Sequence, residues 1–260
     1  MKIALCFRGI PRSLSLTISS IEKNIIVPAN CFGEVKIFTH FFSQTSINNP
    51  RTGEQGLLNP NEHELLKSDW LSIEKPYLCL NHYDFEFIKS FGDPWNDKFY
   101  SLSNLIHQLH SLKAGWKAAK EWGPDIVLFL RPDIFYHDSF EPAFRNILKS
   151  KRKALYVPYW QGWSGCNDRF AISSDQQYSS IYAERIDSAV EYCRSTRNKF
   201  HSEIFLLHQV KNHNLRLKFI GVKATRIRSN GNSVNENFSV LRKSNFNAFG
   251  YSLMSSLSRG

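Results

Sequence analysis

The chain contains no Cys-x-x-Cys pair: its five cysteines, Cys6, Cys31, Cys79, Cys166 and Cys193, are scattered and odd in number. That argues against a disulfide framework or a cysteine zinc site and fits a reducing compartment. No stretch approaches the roughly 18 apolar residues of a membrane span, and the apolar N-terminus meets Arg8 too soon for a signal peptide. A cytoplasmic protein is expected. The patterns His-Glu-x-x-His, Gly-x-Ser-x-Gly and Gly-x-x-x-x-Gly-Lys-Ser are missing as well, which removes the main support for zinc-hydrolase, α/β-hydrolase and P-loop NTPase chemistry. Acids are scarce at one end. From Lys211 to Gly260 nine Lys/Arg residues face one acid, Glu236, so most of the formal charge of +10 sits in the last fifth of the chain. Such asymmetry points to an anionic partner: a phosphate-bearing small molecule, an anionic membrane surface or nucleic acid. A solvated basic face is the plainer alternative.

What is present reads as an α/β protein, a mostly parallel central sheet flanked by helices in one large domain. Ile3 to Phe7 is a buried strand, Ser13 to Ile26 has helical spacing, and Val35 to His40 is a second strand. Phe41 to about Asn61 is polar and is expected to be a long loop. Glu62–Leu71 predicts a short helix, Tyr77–Leu80 a short strand, and Ser103 to Trp122 the clearest helix. Then comes the uninterrupted run Asp125-Ile-Val-Leu-Phe-Leu-Arg-Pro-Asp-Ile-Phe-Tyr136, the pattern of a central strand covered on both faces. Strands at Leu155–Pro158, Phe170–Ser173 and Leu217–Val222 follow, with helices over Gln177–Cys193 and from His201 to Val210. Residues 1–228 are expected to form the folded domain and 229–260 a basic, partly irregular tail. Aromatics, at 14%, exceed what core filling requires, and some are expected to line a cleft.

Charged residues rarely follow a buried strand for packing reasons alone, and ligands of open α/β sheets bind at the C-terminal strand ends. Five segments carry such residues. Arg8-Gly9-x-x-Arg12 offers close backbone approach and two guanidinium forks for a pyrophosphate; the alternative is a turn with solvated arginines. Arg131-Pro-Asp133 offers a charged pair and a carboxylate that can take a divalent metal such as Mn2+ or Mg2+; the alternative is a pair closing a loop. In Gly162–Ala171, Asn167 and Asp168 suit sugar hydroxyls, and Trp160 and Trp163 suit a pyranose face, against a plain turn with core tryptophans. Glu203 is either a general base on an acceptor hydroxyl or a first-turn carboxylate favoured by the helix dipole. Arg226 and Arg228, on alternate positions after a strand, can close over a phosphate.

In order, these segments resemble a group of bacterial and viral glycosyltransferases with the GT-A type of nucleotide-sugar fold. The matching residues are Leu5-Cys-Phe-Arg-Gly-Ile-Pro-Arg-Ser13, Ile37-Phe-Thr-His40, Arg131-Pro-Asp133, Asn167-Asp-Arg-Phe-Ala-Ile172 and a Ser202-Glu-x-x-Leu helix. The resemblance covers roughly Met1 to Val222. It implies that Arg131-Pro-Asp133 stands in place of the Asp-x-Asp motif, with Asp133 facing the sugar diphosphate and Glu203 near the acceptor. It implies transfer of a sugar from a nucleotide diphosphate to a hydroxyl of a glycan, in cell-surface polysaccharide or glycoconjugate synthesis. Arg131 in place of the first acid leaves metal dependence open. The partners implied are a nucleotide sugar and a glycan acceptor, with peripheral attachment to anionic membrane through the basic C-terminal region and no nucleic acid. Two rivals stand beside it. A sulfotransferase is suggested by Pro11-Arg-Ser13 after the first strand, although Leu14-Ser15 replaces the usual Gly-Thr. A non-catalytic glycan- or nucleic-acid-binding module is suggested by the basic tail.

Overall fold

A computed structural model describes residues 1–150, 152–239 and 245–257. Among the described residues there are eleven strands: β1 (Lys2–Gly9), β2 (Glu34–Phe42), β3 (Ser46–Asn49), β4 (Glu54–Leu57), β5 (Trp70–Glu74), β6 (Ile126–Leu130), β7 (Ile134–Tyr136), β8 (Leu155–Pro158), β9 (Ala171–Ser173), β10 (Leu217–Ile220) and β11 (Ala224–Arg226). Seven form one sheet in the order β10-β8-β9-β6-β1-β2-β5. β1, β2, β5 and β6 run parallel, and β9 alone is antiparallel to both its neighbours. The run from Asp125 supplies β6 at the centre, as its lack of polar positions requires.

Alternation explains why both faces are covered. Ala4, Cys6, Val127 and Phe129 pack into one layer with Leu105, Leu109, Leu112 and Trp116 of the Tyr100–Trp122 helix. Ile3, Leu5, Phe7, Ile126, Leu128 and Leu130 face the other way, toward Leu14 and Ile21 of the Leu14–Ile21 helix and toward Phe140 and Phe144. Gly123, at φ 71°, ends the long helix in the left-handed conformation that glycine adopts at low cost.

Because the parallel strands share a direction, Gly9, Phe42, Glu74 and Leu130 all end on one edge of the sheet. The loop preceding antiparallel β9 returns to the same edge. After β6 the chain leaves the sheet at Arg131-Pro132-Asp133, where Thr17 Oγ1 donates to the Pro132 carbonyl (2.5 Å). It then forms a small antiparallel ribbon in which β7 pairs with β11. Thr225 and Arg226 are thereby laid opposite Phe135 and Ile134, and the Ile227 N–H donates to the Asp133 carbonyl (2.8 Å).

Several local expectations are corrected. Tyr77–Leu80 is not a strand: Leu78–Tyr83 forms a 3-10 turn, because four consecutive apolar residues fit either geometry. The Glu62–Leu71 helix stops at Leu66, and the half-exposed edge strand β5 follows. The Gln177–Cys193 helix is broken into Gln176–Ala183 and Ala189–Thr196 by a 3-10 turn at Arg185–Ser188. The loop from Phe41 contains the β3–β4 hairpin. The C-terminal segment carries a helix, Phe246–Leu257; of its basic residues, Arg242, Lys243 and Arg259 lie outside the described residues.

Trp116 has no solvent exposure and bonds Ser180 Oγ through Nε1 (3.1 Å), joining the long helix to the Gln176–Ala183 helix. Trp116→Ala is expected to lower the unfolding free energy by about 3–5 kcal/mol, read from the shift of the urea midpoint.

Candidate active site

A cleft of about 520 Å³ lies over the C-terminal edge of the sheet, within the range of small-ligand sites. Ten of the twelve residues singled out in the sequence line it: Arg8, Gly9, Arg12, Arg131, Asp133, Trp163, Asp168, Glu203, Arg226 and Arg228. They come from all five segments. Asn167 does not line it. Its amide donates to the Trp160 carbonyl (2.6 Å) and its oxygen accepts from the Arg169 N–H (3.0 Å), so it holds the loop's shape. Trp160 is a core residue, bonded through Nε1 to the Val222 carbonyl, whereas Trp163 does reach the cleft.

Asp133 is buried and accepts four hydrogen bonds from two guanidinium groups. Arg131 donates Nε to Oδ1 and Nη2 to Oδ2, both at 2.8 Å; Arg12 donates Nη2 (2.9 Å) and Nε (3.2 Å) to Oδ2. Burial alone would raise its pKa, but Arg131 and Arg12 hold the carboxyl well below the usual range. Arg131 is held above its ordinary value in return, against its own burial. Arg12 continues to Glu54 (3.1 Å), which also takes Arg228 (3.0 Å) and the Ser229 N–H (2.8 Å). Glu54, in the hairpin, was not foreseen, because an acid in a polar loop gives no sign of a distant partner.

This donor set does not fit a divalent cation at Asp133. Both its oxygens already face guanidinium groups, and Arg226 adds a further positive charge beside them. The metal expectation for Asp133 therefore has no support in the site's chemistry.

Asp168 anchors the opposite wall. It accepts from the Ser202 hydroxyl and from Gln108 Nε2 (3.1 Å), with Arg185 Nη2 at 3.7 Å. Burial works against its ionisation, but Arg8 and Arg185 outweigh it and keep the carboxyl below its ordinary value. These contacts all fall on Oδ2, and the lowered pKa makes Asp168 a counter-charge to the arginines and a weaker base than Glu203.

Glu203 stands in the first turn of the Ser202–Asn212 helix, with His201 Nδ1 3.3 Å from Oε2. Burial, reinforced by Asp168, raises its pKa to about 8. Two residues to which the sequence assigns no role of their own frame it. His201, neutralised by burial, stacks on Trp95 with ring centroids 5.3 Å apart, and both line the cleft. Gly165 is required for the loop to reach this helix, since a Cβ there would meet the Glu203 carbonyl oxygen at 1.9 Å.

Seven arginines (Arg8, Arg12, Arg51, Arg131, Arg169, Arg226, Arg228) face three carboxylates across the cleft, one of which, Glu203, keeps its proton near neutral pH. Two of the arginines are conspicuously under-partnered. Arg8 is buried and donates Nη2 to the Asp168 carbonyl (2.5 Å), while its Nε and Nη1 have no partner. Among the described residues no carboxylate lies within ion-pairing distance of Arg226; its Nε is unpartnered, and burial with nearby Arg131 and Arg169 pulls its pKa down to about 9. A cation withdrawn from water in this way, Arg8 fully and Arg226 in part, is costly without an anion.

Two outcomes are expected. Asp133→Asn leaves Arg12 and Arg131 without their shared counter-charge and lowers stability by roughly 3–5 kcal/mol in urea titration. For Glu203, the folded state keeps a proton that the unfolded chain loses above about pH 4.5. Its contribution is complete below that pH and falls by about 1.4 kcal/mol per pH unit until about pH 8. The stability of Glu203→Gln relative to the native chain should therefore rise between pH 5 and 8 and then level off; a constant difference contradicts the raised pKa.

No family model matches the chain, and no curated protein does. Among solved structures it is similar to mouse xyloside xylosyltransferase 1 in its apo form, at 11% identity over 85% of each chain with a TM-score of 0.46. It is similar to the galactosyltransferase LgtC in complex with donor and acceptor sugar analogues, at 15% identity over 84% of this chain and 73% of that one, TM-score 0.42. It is similar to the mannosyltransferase Ktr4p of S. cerevisiae, at 8% identity over 86% and 69%, TM-score 0.47.

Proposed function

We propose that the protein is a glycosyltransferase that moves a sugar from a nucleotide-diphosphate sugar to a hydroxyl of a glycan acceptor. The observation that carries this reading is the pair of under-partnered arginines, Arg8 buried and Arg226 half-buried, in a cleft that also holds a carboxyl of pKa about 8. An anion with several oxygens satisfies the first, and a hydroxyl nucleophile suits the second. The guanidinium groups stabilise the negative charge that grows on the departing diphosphate as the bond from the sugar carbon to phosphate oxygen breaks. Glu203, in its ionised form, takes the proton of the acceptor hydroxyl as the new bond to the sugar carbon forms. Its raised pKa makes it a stronger base than an ordinary carboxylate, near the pH at which it operates. Trp95, Trp163 and His201 supply flat faces for the sugar or the nucleobase.

The rivals fare less well. In the Pro11-Arg12-Ser13 turn, Arg12 is held by Asp133 and Glu54, and Ser13 Oγ donates to the Ile227 carbonyl (3.2 Å), so this turn is a poor phosphosulfate cradle. Arg226 and Arg228 of the basic C-terminal part line the cleft, which weakens a membrane-facing role for that charge. Among the described residues no helix is long and apolar enough to cross a membrane.

Isothermal titration with a panel of nucleoside diphosphates should find at least one that binds. Arg226→Ala should weaken it by about 10- to 100-fold, the worth of a charged hydrogen bond. With the matching donor, Glu203→Gln should keep donor affinity and lose turnover. Binding of phosphoadenosine phosphosulfate in preference to every nucleoside diphosphate would sink the proposal.

A further inference from the structure

A second group of polar side chains lies behind the cleft wall. His40 of β2, Glu74 at the end of β5 and His110 of the Tyr100–Trp122 helix present one ligand atom each within 4.8 Å of one another. Glu74 bridges the two rings, with Oε1 3.1 Å from His40 Nε2 and Oε2 2.9 Å from His110 Nε2. The sheet register explains the meeting: Glu74 pairs with Phe42, two residues beyond His40, and the long helix crosses this edge.

The protons at His40 can be assigned from its neighbours. Ser111 Oγ donates its single proton to the His40 carbonyl (2.7 Å) and accepts the Gly9 N–H (2.9 Å). It therefore also accepts from His40 Nδ1 (3.0 Å), which places the ring proton on Nδ1. The lone pair of Nε2 is left facing a carboxylate oxygen, and this fully buried nitrogen makes no hydrogen bond of acceptable geometry. A lone pair on a buried ring nitrogen held against a partly exposed carboxylate oxygen calls for a cation between them. On the other ring, Tyr83 OH lies 2.9 Å from His110 Nδ1, fixing its orientation. An oxygen partner on the far ring nitrogen is also what fixes the orientation of metal-binding histidines, although there it is usually a carboxylate, carbonyl or water.

We propose that His40, Glu74 and His110 bind one divalent ion of the zinc class, through Nε2 of both histidines and the Glu74 carboxylate. Two imidazoles and a carboxylate suit zinc and its first-row neighbours better than magnesium or calcium. The remaining position opens toward a separate cavity of about 500 Å³, lined by His82, Tyr83 and Lys113 among others, where water or His82 can complete the shell. The ion ties β2, β5 and the long helix together. Through Ser111 it reaches Gly9, whose backbone N–H is fixed at the rim of the arginine-lined cleft. It is a structural ion and takes no part in the proposed sugar transfer, so the two proposals stand or fall separately.

The test uses the full chain stripped with chelator and titrated with cobalt. One equivalent should bind, with the visible bands of a low-coordinate cobalt ion, and zinc should displace it and raise the melting temperature. Glu74→Gln and His110→Ala should each weaken binding by at least about 100-fold, beyond the range seen for outer-shell partners. Arg226→Ala should leave it unchanged. Circular dichroism checks that each variant is folded, and Glu74→Gln, a near-isosteric change at a partly exposed position, serves if His110→Ala is not. Absence of stoichiometric cobalt uptake by the native chain, or equal uptake by a folded Glu74→Gln variant, overturns the proposal.

Discussion

The carboxylate of Asp133, gripped by Arg12 and Arg131, is the interaction on which the cleft depends. It joins the turn after β1 to the exit of β6, and Glu54 extends the chain of charges to the β3–β4 hairpin and to Arg228. Each ion is deeply placed, so removing any one leaves another without compensation, a cost larger than the pair itself contributes. Strand ends that are 120 residues apart in sequence are thus held as one wall, and the wall is positive.

That network balances most of its charges and leaves Arg8 and Arg226 short of partners. Under the proposed function, this imbalance is what receives the anionic donor. On the far side, Asp168 compensates Arg8 and Arg185 in part, and its field also contributes to the raised pKa of Glu203. Two carboxyls near one another are thereby pushed to opposite sides of the ordinary range, one held ionised by arginines and the other raised to about 8, which in the proposed reaction assigns Glu203 the proton transfer.

Much of this was legible in the sequence, for a definite reason. An apolar run such as Ile126–Leu130 must be covered on both faces, so the charged residues at its end have to emerge at a sheet edge, where ligands bind. Partnerships were less legible. Arg131 looked like a substrate ligand and is largely engaged by Asp133, two residues away, and Asn167 looked like a sugar ligand and secures its own loop. Trp160 has the composition of a binding platform and the environment of a core residue. The edge strand β5 and the Phe246–Leu257 helix escaped notice because half-exposed or Ser/Asn-rich segments lack a clean period. His40, Glu74 and His110 are too far apart in sequence for any spacing rule to unite them.

The most direct test of the central claim is a crystal structure of the full chain with a bound nucleoside diphosphate. The account predicts phosphate oxygens within hydrogen-bonding distance of Arg226 and Arg8, with Asp133 still clasped by Arg12 and Arg131. A diphosphate bound away from this cleft, or one that draws Arg131 off Asp133 to coordinate a metal there, contradicts it.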